Sequence, residues 1–554
     1  MPSVTFYLLG ESPATARTIS VTDDIGMESL QYIVASHFAI VQPEGIAFNS
    51  QKLVLPSVAD ILAQEAPIAI TIDGKAVRPV PGPSGLPFFG NYFQLYPDHL
   101  GNHQRLFDHY GPIIKTCNMG ATIYTTNDPT LGSIVFSESD FFTKDIIEGH
   151  PLRPIKNDDA GIFVSDTHTE EWRVSHKFLS PALGPKAVRH YQPIMQRAVE
   201  DSFAVFDELD ERGEAWNAWP YMLKLSSEII GELVLGIDFG HFSSVDAELH
   251  EVIYLIAGSL VLNKKVSSVG QWYAKLPFGY PKALRDFRRR ILEIVGEEVE
   301  KASRGIEDLE LQDAALQAEH MIDKKDYVLR ATDSKGNKMP KDRLVEPLIV
   351  TVAAGFTTTS SLLCWLLYGL VTYPGMQDRL LQELVDHGFS EDTVVTPELI
   401  GKLKFLDNFV KETLRRHSPS FQPARTARVD MILPGGYKLP KDSIVIPGVF
   451  HIHNNPGVWD NPTHFEPDRW DSEEVKNRPA GSYIPFASGQ RMCIGNSFVL
   501  QAVKVFLPKL VYRYEFGLAK DEPVEYEPYF QLIRPTNLYL RAERRVKWPP
   551  RVGG

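Results

Sequence analysis

The densest chemistry in this 554-residue chain lies in ten consecutive residues: Phe486, Ala487, Ser488, Gly489, Gln490, Arg491, Met492, Cys493, Ile494 and Gly495. A cysteine ligates metal as the thiolate, and a thiolate inside a protein needs backbone N–H groups close to its sulfur. Gly489 and Gly495, on either side of Cys493, permit that approach. The apolar run from Phe498 to Leu510 reads as a helix, whose N-terminus adds partial positive charge beside the sulfur. Arg491, two residues before the cysteine, can neutralise a carboxylate of a bound group, as on a haem propionate. Axial ligation of haem iron by Cys493 is the chemistry these features serve together. A cysteine alone is more often an inert core residue, so the whole loop carries the reading.

That loop resembles the haem-binding loop of the cytochrome P-450 family, Phe-x-x-Gly-x-Arg-x-Cys-x-Gly, at every fixed position from Phe486 to Gly495. Lys411, Glu412, Thr413, Leu414 and Arg415 match the family's Glu-x-x-Arg helix, with Glu412 and Arg415 on one helical face. On its own such a pair is an ordinary surface ion pair. The resemblance adds Arg469, in Phe465, Glu466, Pro467, Asp468, Arg469 and Trp470, as third member of a buried structural network. Ala354, Gly355, Phe356, Thr357, Thr358 and Thr359 match the oxygen-activating helix. There, small residues at 354 and 355 leave room for dioxygen, and the Thr358 hydroxyl relays protons for O–O cleavage. Thr357 departs from the family, which usually has Asp or Glu at that position, so protons travel through hydroxyls and water. Trp172 and His176 match the helix that contacts haem propionates, and Arg425 is a further propionate contact. Pro81 to Pro87 resemble the family's proline-rich hinge. The resemblance runs from about residue 79 to 545 and implies a mainly α cytochrome P-450 fold with small β-sheets.

Composition narrows the alternatives. A net charge of -13, without a cluster of Lys and Arg, argues against nucleic acid as partner. Cys117, Cys364 and Cys493 are far apart and offer neither a disulfide framework nor a zinc site, which suits a reducing compartment. Residues 1–10 lack the features of a signal peptide. The stretch Leu348 to Leu370 has the length of a membrane span, but Thr351, Gly355 and the hydroxyl run 357–361 mark a buried core helix, so no transmembrane helix is expected.

Several elements must position these residues. Strand-like segments Val4 to Leu9 and Thr18 to Thr22 flank a turn with Ser12 and Pro13. A helix through Met27, Leu30, Ile33, Val34 and Phe38 follows, with Asp23 and Asp24 as caps. Strands at 46–48 and 52–55, a helical turn at 57–62 and a strand through Ile68, Ile70 and Ile72 complete a pattern similar to the ubiquitin-like β-grasp fold. No paired-glycine tail follows Ile72, and Gly553 and Gly554 read as a frayed terminus. The expected organisation is a small α+β ubiquitin-like module at 1–76, a proline-rich linker or hinge at 77–92 separating it from the rest, and a haem-thiolate domain at 93–554. The module is read equally as a packing appendage and as a docking surface for a protein partner. Helices are expected at 188–210, 223–234, 284–303, 354–370 and 401–416, with strands near 113–116, 123–126 and 538–541.

The resemblance implies haem b (iron protoporphyrin IX) as cofactor and insertion of one oxygen atom of O2 into a C–H bond of an apolar small molecule. Electrons then come from a separate NADPH-dependent flavoprotein reductase, since the chain ends soon after the haem domain; Lys504 and Lys509 are candidates to meet its acidic surface. Residues 161–183, with Phe163 and Trp172, look most like the soluble fatty-acid hydroxylase branch, yet Ala121 stands where that branch has an Arg for the fatty carboxylate. Fatty-acid-like molecules and secondary metabolites or xenobiotics both remain open as substrates. The expected location is cytoplasmic or peripheral to a membrane. A peroxide-using or rearranging haem-thiolate enzyme, and a non-enzymatic haem sensor or scaffold, are the alternatives.

Overall fold

The structure, a computed structural model, describes residues 2–552 apart from 23, 52, 157–160, 307–344, 421–422 and 529–531. Contacts divide the chain into two units. The first comprises Met1–His150, Gln422–His451 and Ser488–Arg491.

In β1 (Ser3–Leu8) the alternate residues Val4, Phe6 and Leu8 share a face and are all buried. β1 pairs antiparallel with β2 (Arg17–Ser20) and parallel with β5 (Ile68–Ile72); β5 pairs antiparallel with β3 (Ile46–Ser50), which carries β4 (Leu53–Val54). The sheet order is β2-β1-β5-β3-β4. Helix α1 (Met27–Phe38) shares this sheet's core through Leu30, Val34 and Phe38. Order and packing are compatible with a β-grasp. The expected caps differ: α1 begins behind Gly26 without a side-chain cap, so Asp24 does not cap it, and Asp23 and the Gly553–Gly554 ending lie outside the described residues.

The proline-rich stretch is woven into this unit and does not act as a loose tether. Arg78–Pro79 pairs parallel with Tyr437–Leu439. The Lys115 N–H donates to the Pro81 carbonyl at 2.8 Å, and a Cβ at Gly82 would collide with the Lys115 carbonyl. A five-stranded sheet in the order Ile113–Asn118, Ala121–Thr126, Ile444–Pro447, Arg425–Ala427 and Phe142–Thr143 completes the unit.

The second unit, Pro151–Phe421, Ile452–Ala487 and Met492–Gly554, is mainly helical. Apolar periodicity predicts one helix over 188–210; the chain instead forms Pro185–His190, Gln192–Asp201 and Phe203–Glu211. Pro193 explains the first break, since proline cannot donate within a helix and suits its first turn. The helix expected at 223–234 is Ala218–Ile230, continued by a π-turn over Gly231–Leu235. Those expected at 284–303 and 354–370 lie in Gly279–Ile306 and Val345–Thr372, and the one expected at 401–416 begins later, as Lys404–Arg416. The predicted C-terminal strand is Tyr539–Arg544, paired with Tyr514–Leu518 and Trp216–Asn217.

Glu251–Val269 and Val345–Thr372 are each long and apolar enough to cross a membrane. In Val345–Thr372 the residues Leu348, Val352, Phe356, Leu363, Leu366 and Leu370 are buried in a core shared with Leu225, Ile229 and Ile230 of Ala218–Ile230.

Candidate active site

Cys493 is held by its own loop. Its N–H donates to the Phe486 carbonyl at 3.0 Å, and the helix Asn496–Arg513 starts directly after Gly495. Burial pushes the Cys493 thiol pKa up, while the Gly495 N–H, hydrogen bonded to the sulfur, pulls it down. Cys493 is nevertheless accessible to solvent, unlike Cys364, which is sealed in the core and pushed above the usual thiol range by burial. Gly489 has φ +75°, and a Cβ there would lie 2.8 Å from the Phe136 carbonyl, so the loop needs glycine at this position.

Glu412, Arg415 and Arg469 form one buried network. Arg415 Nη2 and Nε donate to the two Glu412 carboxylate oxygens, each at 2.9 Å, and Arg469 Nε donates to Oε1 at 3.1 Å. The Glu466 N–H and the Trp470 indole N–H also donate to Glu412, at 2.8 and 3.1 Å. The arginines spend their remaining donors on carbonyls: Arg415 on His453, Pro462 and His464, Arg469 on Asp460, Asn461 and His464. His453, which the sequence does not single out, links this network to the thiolate loop. Its carbonyl accepts from Arg415, and its Nε2 accepts from the Ile484 N–H at 2.8 Å, two residues before Phe486. Burial, assisted by the Arg415 charge, pushes its pKa down to about 3, so the ring is neutral and can accept.

On the central helix Val345–Thr372 every hydroxyl of the threonine run bonds back one turn. Thr357, Thr358 and Thr359 donate to the carbonyls of Ala353, Ala354 and Gly355 at 2.5, 2.7 and 2.6 Å. Thr357 is buried, whereas Ala354 is exposed and Thr358 partly so. Gly355 has a packing constraint that the sequence does not show. A Cβ there would lie 2.6 Å from Ile230 Cδ1, so its small size admits the neighbouring helix.

Of the four expected propionate contacts, Arg425 has the most telling surroundings. It lies on the strand Arg425–Ala427, fully buried, with its guanidinium 5.2 Å over the Phe136 ring and Nε 3.3 Å from Glu138 Oε1. Nη1 donates to the Ala424 carbonyl, and Nη2 has no hydrogen-bond partner among the described residues. Burial pulls its pKa down to about 10. A buried guanidinium with an open donor fits an anionic group such as a haem propionate. Trp172 and His176 stand one turn apart on the helix Glu170–Leu183, both partly buried, with ring centroids 5.0 Å apart. Arg491 ends the 3₁₀ turn Gly489–Arg491 and is partly exposed.

Lys504 and Lys509 both pair with carboxylates of this chain. Lys504 donates to Asp407 at 2.5 Å; Lys509 is buried and donates to Glu200 and to the Glu391 carbonyl at 2.7 and 2.9 Å. Helical periodicity cannot distinguish these lysines from solvated ones, because their partners come from other elements.

Comparison with known proteins accords with this arrangement. The family model for cytochrome P-450 matches residues 80–540. The chain is 46% identical over 552 residues to the cytochrome P-450 monooxygenase alnD of Emericella nidulans, covering 99% of each, so that alignment includes the N-terminal module. Leukotriene-B4 omega-hydroxylase 3 of Mus musculus is 26% identical over 420 residues, 74% of this chain and 78% of the relative. Among solved structures, the haem domain of cytochrome P-450DA aligns with a TM-score of 0.73 at 24% identity, covering 85% of this chain and 98% of that one, a likeness of fold. The chain therefore belongs to the cytochrome P-450 family.

Proposed function

We propose that this chain is a monooxygenase that holds haem b through Cys493 and inserts one oxygen atom of O2 into a C–H bond of an apolar small molecule. The observation that carries the reading is the Cys493 thiol beside the Gly495 N–H, directly before the helix Asn496–Arg513. When bound, haem supplies the redox chemistry of dioxygen activation. Cys493 Sγ would hold the haem iron, with the Gly495 amide and the helix N-terminus stabilising its negative charge. Arg425 would receive one propionate on its open Nη2, and Arg491, Trp172 and His176 would serve the propionates as well. Thr358 donates its hydroxyl hydrogen to the Ala354 carbonyl and keeps its Oγ1 lone pairs free to accept a hydrogen bond from water, which would hold that water beside the helix; to hand on a proton itself, the hydroxyl would have to turn away from Ala354. Thr357 cannot replace the family's acid, since it is buried and carries no ionisable group.

A separate NADPH-dependent flavoprotein reductase supplies the electrons. The substrate is fatty-acid-like or a secondary metabolite or xenobiotic. The resemblance to a leukotriene-B4 omega-hydroxylase supports the first, and Ala121 in place of a carboxylate-binding Arg supports the second. The ubiquitin-like module and its linker accompany the catalytic domain in the cytoplasm or at a membrane surface.

The test is turnover of the haem-loaded protein with NADPH, a flavoprotein reductase and a panel of apolar substrates under ¹⁸O₂. The reading requires one ¹⁸O atom per product molecule and dependence on NADPH. Product formed only with peroxide, or without oxygen incorporation, contradicts it.

A further inference from the structure

One short strand shares its residues between two cores. In Met431–Leu433, buried throughout, Ile432 belongs to the core of the N-terminal module with Phe38, Ile40 and Val77. Met431 and Leu433 belong to the neighbouring core with Leu131, Val135, Phe142, Ala427 and Val445. The module answers in kind, since Ile40 lies in its own core while Val41 packs against the other. Backbone bonds fix this register: the Ile432 N–H donates to Ala39 at 2.9 Å and the Val41 N–H donates to Ile432 at 3.0 Å. To reach that register Ala39 ends α1 at φ +52°, a conformation that non-glycine residues adopt at a cost.

A second attachment lies at the end of β5. Asp73, at φ +49°, accepts the Gly435 N–H on its carboxylate at 2.7 Å. A Cβ at Gly436 would lie 2.8 Å from the Ala76 carbonyl, which marks a close backbone approach, and Glu11 pairs with Lys438.

The neighbouring core is the one that supports Arg425. Its strand pairs with Ile444–Pro447 on one side and Phe142–Thr143 on the other, and Ala427, two residues on, is a core member. The ring beneath its guanidinium, Phe136, ends the helix Pro129–Phe136 whose Leu131 and Val135 fill the same core, and the Phe136 carbonyl lies close against Gly489.

We propose that the N-terminal module is a positioning element for the Arg425 anion site, acting through the two-faced strand Met431–Leu433 and the core behind it. This rests on Arg425 as a haem-propionate contact. The module's place is thus in haem retention, with Ile432 and Asp73 as positioning residues.

The test uses the full-length haem-loaded protein and measures haem loss to an excess of apomyoglobin, with thermal unfolding of the haem-free protein alongside. Ile432→Ala is expected to speed haem loss roughly three- to tenfold, and Asp73→Gly to act in the same direction. Asp73→Asn, which keeps an acceptor and tolerates positive φ, should behave as wild type. The deciding comparison is a cycle with Arg425→Met: if the module acts through Arg425, Ile432→Ala adds little in that background. Additive effects, or unchanged haem loss in Ile432→Ala and Asp73→Gly while Arg425→Met loses haem quickly, overturn the proposal alone. Unchanged haem loss in Arg425→Met overturns the reading of Arg425 itself and the proposal with it.

Discussion

Replacing Glu412 by Gln removes one charge from a site that accepts five hydrogen bonds and is shut off from solvent. The amide keeps one oxygen, but its NH₂ group must face either the Arg415 and Trp470 donors or those of Arg415, Arg469 and Glu466. Two buried guanidiniums are then left without a counter-charge. Breaking a buried ion pair on one side costs about 3–5 kcal/mol, a large part of the roughly 5–15 kcal/mol that stabilises a domain. At about 2 °C per kcal/mol for a unit of this size, the melting temperature should fall by about 6–10 °C. Differential scanning fluorimetry, followed with and without haem, reads the shift.

A triple apolar replacement, Glu412→Leu with Arg415→Met and Arg469→Met, separates the charge from the hydrogen bonds. Some buried ion networks tolerate such exchange. Here the arginines also satisfy the carbonyls of His453, Pro462, His464, Asp460 and Asn461, and orphaning each costs about 1–3 kcal/mol. The triple variant should therefore stay destabilised. A Glu412→Gln protein melting within about 2 °C of wild type, or a triple variant restored to wild type, refutes the reasoning.

Two further outcomes are expected. His453 is neutral when folded, with its pKa pushed down to about 3, but takes up a proton near pH 6.5 when unfolded. Between those values the unfolded state binds more protons, so this histidine's contribution is lost as pH falls, by about 1.4 kcal/mol per pH unit. His453→Gln, whose amide oxygen can still accept from Ile484, should flatten the acid side of a denaturation series by that slope; an unchanged slope would mean the ring is not buried neutral. Gly355→Ala should destabilise by about 1–3 kcal/mol through overpacking against Ile230, and Ile230→Val should relieve part of it in urea titrations. Equal stability of wild type and Gly355→Ala would contradict the packing role of Gly355.

Patterns local in sequence were legible. The loop around Cys493, the Glu412 and Arg415 pair and the threonine helix each need neighbours within ten residues, so their spacing survives as a linear pattern. Partners brought from afar were not legible. Nothing around Lys509 announces Glu200 and Glu391, and nothing around Gly355 announces Ile230. The proline-rich stretch shows the same limit. Its composition reads as a spacer, yet parts of its backbone pair with strands further along, Pro81 with Lys115 and Arg78 with Tyr437. Pro193, by contrast, was visible and should have divided the helix read over 188–210, because proline in a helix interior costs about 3 kcal/mol. Arg425 was weakest in sequence, a lone arginine after a helix; only its burial and open Nη2 distinguish it.

The central claim is that Cys493 is the thiolate ligand of haem iron, and the most direct measurement is the reduced, carbon-monoxide difference spectrum of wild type beside Cys493→Ser. A Soret band far to the red of ordinary haem proteins in wild type, absent from a Cys493→Ser protein that still folds, is the predicted result. A wild-type spectrum without that band, or a band retained in Cys493→Ser, would contradict it.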